Sequence, residues 1–153
     1  MRRALATAPA LLLVACSGAA GEPAVRAYNA ESIAAYRTGD TSRLREVATA
    51  AELRRLVALI DLKKAAGLVL ESKLERLDVT GSERSGDTEL RVRTREEWRY
   101  HDRALRPGAS PGPELHADME MEYRLVLESG QWKVDEVRTL SNNYLDSPDG
   151  GAS

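Results

Sequence analysis

Residues 90–100 constrain the fold more than any other stretch. Leu90, Val92, Thr94, Glu96, Trp98 and Tyr100 alternate with Arg91, Arg93, Arg95, Glu97 and Arg99. A period of two is the signature of a β-strand with one dry face and one wet face. A helix would scatter the arginines around its whole surface, so the segment must be a long strand. Its dry face then needs a cover, which the rest of the chain has to supply.

The same period recurs twice downstream. Met119, Met121, Tyr123, Leu125 and Leu127 form an inward row, and Asp118, Glu120, Glu122 and Arg124 an outward one. Ser129-Gly130 reads as a tight turn, and Gln131–Val137 as the returning strand. Upstream, 68–79 is strand-like, with Leu68, Leu70 and Leu74 inside, and 81–87 reads as a polar loop. The run Arg106-Pro107-Gly108-Ala109-Ser110-Pro111-Gly112-Pro113 is loop-like by composition. Residues after about 141 read as a disordered tail.

Before residue 68 the period is helical. Pro23 suits the first turn of a helix. Val25, Tyr28, Ile33 and Tyr36 fall on one side, with Arg26, Glu31 and Arg37 away from it. Thr38-Gly39-Asp40 stops this helix, and a short segment with Leu44 and Val47 follows. Thr49-Ala50-Ala51-Glu52 is a capping box that opens a second long helix. Its stripe is Leu53, Leu56, Val57 and Ile60, broadened by Leu59. Gly67 ends it. The expected core joins Trp98, Met121, Tyr123, Leu125 and Trp132 to Leu56, Val57 and Ile60.

The N-terminus reads as an address. Met1-Arg2-Arg3 is a positive start, and Ala4–Ala15 is apolar or small, too short to span a bilayer. It ends in Leu13-Val14-Ala15-Cys16, which resembles the bacterial lipobox. That resemblance implies lipid on Cys16 and loss of residues 1–15. Cys16 is the single cysteine among 153 residues, so no disulfide closes within the chain. Residues 16–22 read as a flexible tether. Ser17 stands where an aspartate would resemble an inner-membrane retention signal, which points to the outer membrane. A net charge of −2 excludes a strongly basic nucleic-acid binder.

Helix, short helix, helix and then a meander of long strands, closing on Tyr123-Arg124-Leu125-Val126-Leu127-Glu128-Ser129-Gly130-Gln131-Trp132-Lys133-Val134, resembles the nuclear transport factor two-like superfamily. Within it, residues 23–140 are most similar to the IMS-type domain of plastid division proteins and some bacterial proteins. The resemblance implies an α+β cone, with N-terminal helices in the concave face of a curved antiparallel sheet of about four long strands. It also implies a cavity at the wide end. No member's catalytic set maps onto this chain.

Glu96 is the acidic residue of its inward row. Beside Trp98 it reads either as an acid or base or as a merely hydrogen-bonded rim group. With Trp98, Met121 and Tyr123 it is a candidate cavity-lining set. His101, Asp102, His116 and Asp118 flank the 102–117 loop, but their spacing matches no standard zinc site. No Ser-His-Asp set, glycine-rich phosphate loop or Cys-His pair is present, and no catalytic residue, cofactor or metal is expected. Two functions compete: a non-catalytic module meeting a protein partner at the envelope membrane, and a small-molecule binder or enzyme using the cavity through Glu96. An open cavity with Glu96 on its wall favours the second.

Register is expected to follow surface charge. Arg103 opposite Asp118, His101 opposite Glu120, Arg99 opposite Glu122 and Glu97 opposite Arg124 set Trp98 opposite Tyr123 inside. A sheet face so covered is a poor hydrophobic dimer interface.

Overall fold

The computed structural model describes residues 18–145. Three helices, α1 (Gly18–Thr38), α2 (Leu44–Val47) and α3 (Ala50–Ala65), precede four strands, β1 (Leu68–Ser85), β2 (Glu89–Ala104), β3 (Leu115–Glu128) and β4 (Gln131–Tyr144). The strands form one antiparallel sheet in sequential order. The fold is α+β, with the helices packed on the concave face of the curved sheet.

Bulges on the two edge strands account for the curvature. In β1 the register shifts between Leu74 and Arg76 and again between Val79 and Gly81. In β4, Asp135 and Leu140 are the extra residues. The β2–β3 pairing runs without a shift. Each extra residue bends its strand and raises its twist, so the edges curl around a regular centre. The bulges also reset the alternation: Leu74 and Leu77, three apart, pair with Trp98 and Glu96 and share the inward face.

Helix α1 crosses the bowl. Val25 and Ala35 are buried on its inner side, and Tyr28 is too, beside Asn29 and Ser32. The helix starts five residues before Pro23, which therefore lies inside it. The tether expected over 16–22 is thus helical from Gly18; residues 1–17, Cys16 among them, lie outside the described part. Packing overrides the helix-starting preference of proline here. A Cβ on Gly21 would meet Val92 Cγ2 at 2.5 Å and Leu90 Cδ2 at 2.9 Å, so the absence of a side chain lets the helix sit on the sheet. Gly21→Ala is expected to destabilise the domain by about 1–2 kcal/mol, because overpacking a buried contact outweighs the better helix propensity. Urea unfolding checks this; a neutral or stabilising result would show that 18–22 is not seated on the sheet.

Helix α3 buries Leu56 and Ile60. Leu59, expected in the stripe, is 51% exposed. The core joins these residues to Val25, Leu44, Leu77, Leu90, Val92, Tyr123, Leu125 and Val134, with Met121 and Trp132 packed against it. Trp98 and Val57, both expected there, are only half-buried; Trp98 faces a cavity.

Three expectations about the sheet are corrected. The polar segment 81–87 is mostly strand, since Gly81–Ser85 pair with Arg93–Glu89 and the turn shrinks to 86–88. Backbone pairing satisfies a polar hairpin end as well as a loop would. The end of the chain is ordered further than residue 141: β4 reaches Tyr144, paired with Ala117, and Leu145 N–H donates to the His116 carbonyl at 2.8 Å. Residues 146–153 lie outside the described part.

The β2–β3 register also differs. Val92 faces Tyr123, Leu90 faces Leu125 and Trp98 faces Ala117. The charge-matched register would set Val92 opposite Ser129 and Leu90 opposite Gln131, at the hairpin turn, and uncover the most apolar part of β2. Exposed ion pairs are worth about 0.2–1 kcal/mol each, whereas burying one such side chain is worth about 1.5–3 kcal/mol. Burial wins. Like charges are left opposed at Glu97–Asp118 and Arg91–Arg124. These turn to other partners: Glu97 to His116 at 2.6 Å, Asp118 to Arg95, and Arg124 to Asp135.

Candidate functional site: a cavity with a buried carboxylate

The bowl is not filled. Between α1, α3 and the sheet lies an open cavity of about 460 Å³, within the roughly 300–1,000 Å³ of small-molecule sites. Its sheet wall includes Glu96, Trp98, Met119, Met121 and Tyr123, and its helix wall includes Tyr28, Ile33 and Leu56.

The floor is a polar network built from both layers. Glu96 is 1% exposed. Its Oε1 accepts from Thr94 Oγ1 at 2.7 Å and Tyr123 OH at 2.7 Å, and its Oε2 accepts from Trp98 Nε1 at 2.7 Å. The strand supplies two of these donors because Thr94 and Trp98 lie two residues either side, on the same face. Tyr123 OH in turn accepts from Asn29 Nδ2 at 3.1 Å. The Tyr28 and Tyr123 rings meet edge to face, 6.1 Å between centroids.

Glu52 is the second buried carboxylate. Tyr28 OH donates to its Oε1 at 2.5 Å, and Arg55 Nε to its Oε2 at 2.8 Å. The capping box is therefore half made. Thr49 Oγ1 accepts from Glu52 N at 3.3 Å, but Thr49 N–H donates to the Val134 carbonyl, which frees the Glu52 carboxylate for the cavity. Asp135, thrown outward by its bulge, accepts from Thr49 Oγ1 at 2.8 Å and binds α3 to the sheet.

Burial, reinforced by the Glu96 charge, pushes the Tyr123 phenol well above its ordinary value. Burial and Glu52 do the same to Tyr28, and more mildly to Tyr36. Tyr100 at the cavity's far end is pushed up to about 12 by burial and its contact with Tyr144.

In the sequence Tyr28 reads only as part of the helix stripe and Glu52 only as a cap, and Asn29 and Ser32 are not singled out. The available signal was polar residues at 29 and 32 on the helix face that also carries Val25 and Tyr28. His101, Asp102, His116 and Asp118 are not brought together. His101 lies 3.8 Å from Glu71, Lys63 holds Asp102 at 2.6 Å, His116 contacts Glu97 and Arg95 holds Asp118. Among the described residues no group of three such side chains is placed to hold a metal.

No family model and no curated protein matches this chain. A solved structure does: the intermembrane space region of the chloroplast protein ARC6, with a TM-score of 0.74 over 83% of this chain and 98% of that one, at 19% identity. The two chains share a fold. Among the described residues no helix is long and apolar enough to cross a membrane.

Proposed function

We propose that this protein is a lipid-anchored binding module of the cell envelope, without catalytic activity, and that its open cavity with Glu96 on the wall, the feature expected of a small-molecule binder rather than of a purely protein-docking module, is its recognition site. The observation that carries the reading is the condition of Glu96. Inside an open cavity, its two oxygens already hold three neutral donors. A general base must have a lone pair within reach of the proton it takes, and a partner acid poised to return it. Glu96 keeps one lone-pair site beyond its three wall donors, and among the described residues no histidine lines the cavity to return a proton. Such a site is built to bind and hold.

The envelope assignment is supported by the Leu13-Val14-Ala15-Cys16 motif and by the fold shared with an intermembrane-space region. Lipid on Cys16 would hold the domain at the membrane, the outer one in a two-membrane cell, with its partner in the envelope.

A photoreactive side chain placed at Leu59, on the exposed rim of the cavity, tests the recognition site in intact cells. The same group at Arg93, on the charged outer sheet face, is the control. Intact-mass analysis after photolysis should show a discrete adduct from position 59 and none from 93. Adducts from 93 alone, or from neither position, would refute the cavity as the recognition site.

A further inference from the structure

We infer that the cavity takes an organic amine in its cationic form, an ammonium group on an apolar or aromatic body; the inference rests on the binding reading above and specifies the ligand. Glu96 is buried, and its three hydrogen-bond partners are all neutral. Among the described residues no lysine or arginine forms an ion pair with it. A buried carboxylate is costly unless a positive charge answers it. Glu52 is already answered by Arg55, whose side chain is half exposed at the cavity edge and also donates to the Asp135 carbonyl. The charge left unanswered inside the cavity is therefore that of Glu96.

The rest of the wall agrees with a cationic head on an apolar body. Tyr28, Tyr36, Trp98, Tyr100 and Tyr123 line the space together with Met119 and other apolar side chains. Aromatic rings favour a cation over a neutral group of equal size. Ser32 Oγ, buried on the helix wall, accepts no hydrogen bond among the described residues and offers an oxygen to an N–H donor. An anionic amphiphile would meet two carboxylates. A neutral one would satisfy the apolar wall and leave Glu96 unanswered. Among the described residues a bare metal ion would find no further ligand set.

Three probes on one naphthylethyl body decide the class: 2-(1-naphthyl)ethylamine, 2-(1-naphthyl)ethanol and 3-(1-naphthyl)propionate. Each is titrated at neutral pH into the full chain carrying Cys16→Ser, by calorimetry and by quenching of tryptophan fluorescence. The amine should bind about tenfold or more tighter than the alcohol, and the propionate weakest. Glu96→Gln should erase the preference for amine over alcohol while leaving alcohol binding in place. Because that change disturbs three donors, circular dichroism must first show the variant folded; the probe series on the unaltered cavity decides the class regardless. Equal affinities for the three probes would overturn the amine assignment and leave the binding reading standing. No binding of any probe at millimolar concentration would overturn the amine assignment, and joined to the absence of an adduct from position 59 it would overturn the binding reading as well.

Discussion

Truncating Tyr123 to alanine should lower the free energy of unfolding by about 3–5 kcal/mol. The ring is 1% exposed and joins the core cluster to the cavity floor. Alanine removes its edge-to-face contact with Tyr28 and one donor from Glu96, and it leaves Asn29 without its hydroxyl partner. Tyr123→Phe separates the two contributions. It keeps the ring and loses only the hydroxyl, so about 1–3 kcal/mol is expected. Urea unfolding at neutral pH measures both, and a Tyr123→Ala loss under 1 kcal/mol would mean that the ring is not packed as described. The alkaline limb adds an independent check. A phenol whose folded pKa is raised keeps its proton where the unfolded chain, titrating near about 10, has lost it. Its stabilisation is complete below pH about 10 and falls as pH rises towards the folded value. Stability should therefore decline steeply above pH 10, and less steeply in Tyr123→Ala and Tyr28→Phe, because each removes one phenol held up by burial.

Cys16→Ser should move the protein from the membrane fraction to the soluble fraction, or leave it as an unprocessed precursor. Among the described residues no helix suits a membrane span, and the outer face of the sheet carries Arg91, Arg93 and Arg95. One acyl chain gives only marginal binding, and each buried methylene adds roughly 0.8 kcal/mol, so two or three chains make the difference between transient and stable attachment. Mass spectrometry of the mature N-terminus should find Cys16 acylated and residues 1–15 gone. A Cys16→Ser protein that is processed normally and stays with membranes would refute the anchor. The charged sheet face bears on orientation as well. Arg93 pairs with Glu122 and Arg95 with Asp118 across β2 and β3, so the outer face is well solvated.

The shared fold with the ARC6 region at 19% identity shows how little residue identity this architecture requires. What it requires is pattern. Alternation in β2 and β3 assigns each residue to a face, whatever the detailed choice of apolar side chain. The Ser129-Gly130 turn has both residues at positive φ, 50° and 80°, as a two-residue hairpin connection demands. It was legible because serine-glycine after one alternating run and before another has few other uses.

Local pattern carried the α+β class, the faces of β2 and β3, the helix stripe of Val25 and Tyr28, and the placing of Glu96 and Trp98 on one side of β2. These are local properties, set by periods of two and 3.6 that a chain carries before it folds. Tertiary structure alone decided the register, the bulges and the cavity floor. Register followed the burial of Leu90 and Val92 under Leu125 and Tyr123, a choice between partners far apart in sequence, and surface charge was too weak to oppose it. The bulges at Asp135 and in β1 arise because edge strands must curl to close on the helices, and no residue type announces them. Glu52 reads locally as the closing half of a capping box. It becomes part of the cavity because the Val134 carbonyl takes the Thr49 N–H, and that carbonyl arrives from a strand more than eighty residues away in the chain.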